Sequence, residues 1–105
     1  MNFKVLAEKL GLDEEEYIEL LELLVSTSNA ALEKLQAAVE KDDIEEVAKI
    51  GHSLKGSLSS LGLTNISETA RMIEKDAKKG SLKETSKGIE DIREKLDQLS
   101  NAVNK

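Results

Sequence analysis

Apolar residues recur along this chain in steps of three and four, the spacing that gathers side chains on one face of an α-helix. The longest stripe runs Tyr17, Leu21, Leu24, Ser28, Ala31, Leu35, Ala38, and Ile18, Val25, Leu32 and Val39 widen it. A second stripe runs Ile44, Val47, Gly51, Leu54, Leu58, Leu61, and a third offers Ile66, Ala70, Ile73, Ala77. The last gives Leu82, Thr85, Ile89, Ile92, Leu96, Leu99, Val103. Each predicts a long helix with one core-facing side. Ahead of them, Phe3, Leu6 and Leu10 predict a helix beginning near Asn2 that is too short to stand alone and is expected to cap the bundle.

Polar punctuation agrees with this division. Asp13 with Glu16, Asp43 with Glu46, Asn65 with Glu68, and Ser81 with Glu84 each pair a capping residue with Glu three positions later, an arrangement that satisfies free amides at a helix start. Gly11, Gly62 and Gly80 sit just before three of these starts, where a left-handed residue can close the preceding helix. Connections at Asp42, around Leu63 and near Gly80 are short, so consecutive helices should pack antiparallel. The expected fold is all-α, an antiparallel up-down four-helix bundle with a short extra N-terminal helix. An extended coiled coil shares the three-four alternation, but such coils seldom interrupt themselves with capped turns. A length of 105 residues suits a single domain spanning 1–105, with one modest core.

Composition narrows the function classes. Fifteen Lys and Arg face 21 Asp and Glu, a net charge of −6, and no basic stripe is available to neutralise nucleic-acid phosphates. A partner should therefore be another protein. With no cysteine and a single histidine, neither a disulfide framework nor a transition-metal site is expected. No apolar run approaches the roughly 20 residues needed to cross a bilayer, and the amino terminus lacks a secretory h-region. The chain reads as a cytoplasmic monomer without a membrane association. It contains no Walker loop, dinucleotide glycine fingerprint or nucleophile elbow, so a self-contained enzyme is not expected, and no cofactor is implied.

The third helix holds the candidate chemistry. His52, the one histidine, lies in the run Gly51-His52-Ser53-Leu54-Lys55-Gly56-Ser57, on the polar flank of the core stripe. Lys55, Gly56 and Ser59 follow at i+3, i+4 and i+7 and share that flank. A lone surface histidine is ordinarily solvated and idle. Gly56 argues otherwise, because a glycine within a helix costs about 1 kcal/mol relative to alanine. Gly51 occupies a core slot where a neighbouring helix can approach closely, but Gly56 lies on the exposed side. A helix kept bare beside an imidazole suggests that something large comes close to the ring.

The stretch from His52 to Ser57, followed by Leu61-Gly62 and then Leu63, Ala70 and Glu74, resembles the signature of histidine-containing phosphotransfer (HPt) domains. Leu20 to Asp43 resembles the long helix that precedes the histidine helix in that family, so the likeness covers nearly the whole chain. Gly51 stands where alanine is commoner, and Leu58 where a smaller residue is usual. The resemblance implies that His52 accepts a phosphoryl group from the aspartate of a response-regulator receiver domain, or from a hybrid sensor histidine kinase, and passes it on in two-component signal transduction. Catalytic metal and carboxylates would come from the partner. Lys55 is placed to offer an ammonium to the phosphoryl oxygens, with Lys49 and Lys78 as weaker contributors to the same field, and Gly56 would leave room for the receiver's loops. Ser57 is expected to be structural, bonding a carbonyl one turn back.

Bundle geometry adds a residue independently of the family. With the turn between the third and fourth helices centred near Leu63, antiparallel packing sets Glu74 level with His52. Its carboxylate could then accept the histidine's protonated ring nitrogen. Alternatively, Glu74 is a solvated residue paired with Lys78 at i+4. Two rival functions remain at this level: a helical adaptor that keeps the fold without phosphotransfer, and a metal or hydrolytic site at His52, for which one histidine is a poor basis.

Overall fold

A computed structural model describes residues 2–103. Its elements are α1 (Phe3–Lys9), α2 (Glu14–Glu40), α3 (Ile44–Ser60), α4 (Thr64–Lys78) and α5 (Thr85–Val103), with no strand among the described residues. At the start of α2, Asp13 accepts from the Glu16 amide and Glu16 accepts from the Asp13 amide, a complete reciprocal cap. Asp43 caps α3 by accepting from the Glu46 amide at 3.1 Å.

Four turns end their helices the same way. Gly11, Asp42, Gly62 and Gly80 all have positive φ, and the amide that follows each reaches back to the carbonyl of Ala7, Ala38, Leu58 and Asp76 respectively, at 2.9 to 3.0 Å. Asp42, at φ 54°, shows that aspartate tolerates the left-handed region at a helix end.

Two of the expected caps are not made. Leu63 closes α3 through its amide, as Asp43 closes α2, but as the residue before α4 it has no side-chain acceptor, so α4 starts at Thr64 without a side-chain cap and Asn65 lies inside it. Glu68 is then free to bind Arg71, whose Nε donates to it at 2.9 Å. Ser81 is occupied in closing α4, and a turn at Lys83 and Glu84 delays α5 until Thr85.

Packing runs in a ring, α2 against α3, α3 against α4, α4 against α5, and α5 back against α2. Each neighbouring pair is antiparallel, giving the expected up-down four-helix bundle. At about 1.5 Å per residue, the 27 residues of α2 span about 40 Å, the whole of the molecule's 41 Å long axis. The core comprises the apolar stripes, with Leu32 rather than Ala31 fully buried on α2 and Ile50 added on α3. α1 covers one end of the bundle: Phe3 packs beside Tyr17, and Leu6 reaches the turn at Gly62. The Tyr17 hydroxyl, whose pKa burial raises, donates to the Leu61 carbonyl at 2.7 Å. Among the described residues no helix is long and apolar enough to cross a membrane.

The seam between α3 and α4 is the tightest in the bundle and positions the site. A Cβ on Gly51 would lie 3.1 Å from the Glu74 amide nitrogen and 3.3 Å from its Cα, so glycine is what allows these backbones to approach. One turn further along, Ser67 of α4 donates its hydroxyl to the Lys55 carbonyl of α3 at 3.0 Å.

Candidate functional site

His52 sits midway along α3 beside this seam. Its side chain is 68% exposed, while its Nδ1 lies 2.9 Å from Glu74 Oε2 on α4. Glu74 is the reverse, a carboxylate only 8% exposed. Three donors surround it: His52 and Lys78 on Oε2, the latter at 3.0 Å, and Lys55 on Oε1 at 3.1 Å. Burial pushes the Glu74 carboxyl upward, but hydrogen bonds from Lys78 and Lys55 and their charges outweigh it, holding the group down at about 2.

That ionisation determines the imidazole's state. A carboxylate has no proton to donate, so the 2.9 Å contact with His52 is a hydrogen bond only when Nδ1 carries the hydrogen. In the neutral ring, Nε2 then holds the lone pair, on the edge turned away from α4. The arrangement presents an outward-facing nucleophilic nitrogen whose orientation is set from behind, with the ammonium of Lys55 one turn along and only partly exposed.

His52, Lys55 and Glu74 thus come together in one cluster, as the register and the helical spacing lead one to expect. Glu74 does pair with Lys78, through the same oxygen that faces His52, but it is buried rather than solvated. Gly56 stands apart from these contacts. A Cβ placed there would meet nothing within 4 Å, so no packing demand accounts for it. The bond to a carbonyl one turn back, expected of Ser57, is made instead by Ser60, whose hydroxyl donates to the Ser57 carbonyl at 2.6 Å. Ser67 was not singled out by the sequence; a serine on the flank of α4 carries no signal that it will bond across to α3.

The profile of the Hpt domain family matches residues 19–102, most of α2 through nearly all of α5. The chain belongs to the Hpt domain family. Its α1 lies outside the matched segment. This Hpt domain is similar to the crystal structure of histidine-containing phosphotransfer protein B (HptB) from Pseudomonas aeruginosa PAO1, with a TM-score of 0.84 and 26% identity over 99% of this chain and 90% of that one. It is also 30% identical over 107 residues to the phosphorelay intermediate protein YPD1 of Candida albicans, covering 99% of this chain. The Hpt domain spans 57% of that relative's length.

Proposed function

We propose that this Hpt domain is a phosphocarrier that takes a phosphoryl group onto His52 from the aspartyl phosphate of a response-regulator receiver domain, or from a hybrid sensor histidine kinase, and returns it to a receiver aspartate. The observation that carries the reading is the bond from His52 Nδ1 to the buried, ionised carboxylate of Glu74. With Nδ1 protonated, the Nε2 lone pair attacks phosphorus. The Nε2–P bond forms as the acyl O–P bond breaks, and the electron pair leaves with the receiver's carboxylate. No proton moves, because Nδ1 keeps its hydrogen and the imidazolium that results remains bound to Glu74. Charge thus develops beside a fixed anion, and the step is readily reversed.

In-line phosphoryl transfer asks mainly for positioning and charge neutralisation. Lys55 supplies an ammonium to the phosphoryl oxygens, Gly56 leaves the helix bare for the partner's active-site loops, and the partner brings the metal ion and its own carboxylates. In this reading the domain works as a monomer in the cytoplasm and takes its catalytic groups from the partner. Incubation with a phosphorylated receiver domain tests this. Acid-labile, base-stable phosphate on the Hpt domain is the expected result, whereas receiver binding without any such label would favour a phosphate-independent adaptor.

A further inference from the structure

Lys78 takes no direct part in the transfer step above, yet it shares an oxygen with the histidine. Oε2 of Glu74 receives both His52 Nδ1 and Lys78 Nζ, and Oε1 receives Lys55. The donors come from two helices, Lys55 and His52 from α3 and Lys78 from the last turn of α4. We infer that Lys78 is a positioning residue of the phosphotransfer site, which together with Lys55 clamps the two oxygens of Glu74 so that Oε2 faces the imidazole and holds its hydrogen on Nδ1.

The physical case rests on how a carboxylate is held. The last torsion of a glutamate is broad and roughly two-fold, so a carboxylate anchored on one side can rock and exchange its oxygens. Lys55 fixes only Oε1. Lys78 lies one helical turn beyond Glu74 on the same helix, and its ammonium holds Oε2 at 3.0 Å, the oxygen that Lys55 leaves to the imidazole. A cation in the last turn of α4 is also favoured by the helix dipole, which keeps it near that end without help from the core. Its side chain is 66% exposed, so replacing it removes little packing.

The inference rests on the proposed phosphotransfer, but its test does not require phosphate. Nitrogen-15 NMR of the single imidazole, recorded on the unphosphorylated protein well above the imidazole titration range, reports which ring nitrogen carries the hydrogen. The wild type and Lys78→Arg should show Nδ1 protonated and Nε2 bare. Lys78→Ala should lose that preference and drift towards the tautomer mixture of a free imidazole, with the helical content unchanged. Transfer from a phosphorylated receiver should fall about tenfold in the alanine variant, the scale typical for loss of an outer partner that orients a ligand, and return with arginine. Lys79→Ala, on the neighbouring residue, should change neither signal. A wild-type tautomer in Lys78→Ala overturns the assignment, as does a loss that arginine fails to restore or that Lys79→Ala reproduces. Should no receiver label the protein at all, the phosphocarrier reading falls, while the tautomer spectra still decide the role of Lys78 in holding the ring.

Discussion

Gly51 and Glu74 meet backbone to backbone: a Cβ on the glycine would come within 3.1 Å of the glutamate's amide nitrogen. The residue after Gly51 is His52, so the closeness of the two helices at this point is what lets the carboxylate of one reach the imidazole of the other. The two glycines of α3 should accordingly respond to alanine in opposite ways. At Gly51 the new methyl meets helix backbone, which cannot yield locally, and overpacking of about 1–3 kcal/mol outweighs the gain in helix propensity. At Gly56 it meets open space, and the helix should gain up to about 1 kcal/mol. Denaturant unfolding of the two variants against wild type checks both signs.

Gly56→Gln separates stability from docking. The glutamine side chain projects into open space, so the bundle should fold with near-native stability. Receiver binding and transfer should both weaken, because the side chain fills the room beside His52. Calorimetric binding to one receiver, paired with transfer rates, tests this; unchanged values for both would mean that the bare helix face serves no partner.

Glu74 should matter more to the histidine than its distance from the reacting nitrogen implies. Glu74→Ala removes the acceptor of the Nδ1–H and should slow transfer by about 10- to 100-fold. Glu74→Gln keeps an oxygen for the ring but loses the charge that stabilises the imidazolium, and should fall between alanine and wild type. Rates measured with a single receiver under identical conditions place the three proteins in order.

Acid should unpick this cluster at a defined point. Glu74's carboxyl lies at about 2 in the folded protein, below the ordinary value of 4.5, so it adds stability that is fully present above about pH 4.5 and lost as pH falls towards 2. Because Lys55 and Lys78 are partly or largely exposed, salt should weaken the effect. The stability difference between wild type and Glu74→Gln, followed by denaturant unfolding, should shrink as the pH falls from about 4.5 towards 2.

Much of this site was legible because helical periodicity and turn position together define a register. The stripes of α3 and α4 and a turn near Leu63 are enough to set Glu74 opposite His52. What the pattern does not contain is how deeply Glu74 is buried, since an acidic residue beside Ile73 reads equally well as solvated. Burial there follows from Gly51, whose missing side chain draws α4 in. The caps show a similar limit. Asp43 ends α2 with its amide just as Leu63 ends α3, yet it also caps the next helix because its side chain carries an acceptor, whereas the leucine side chain has none and α4 starts at Thr64 uncapped; after Ser81 a further turn delays α5 until Thr85. Ser67's bond to the Lys55 carbonyl depends on the same close approach and has no local signature.

The most direct test of the phosphocarrier reading is phosphorus NMR of the protein after exposure to a phosphorylated receiver domain, with His52→Gln alongside. The wild type should show a single phosphoramidate signal from phosphorus on Nε2 of His52, and the glutamine variant, which retains a helix-forming residue and the fold, should show none. Undiminished labelling of His52→Gln, or phosphate on Nδ1 in the wild type, would contradict the account.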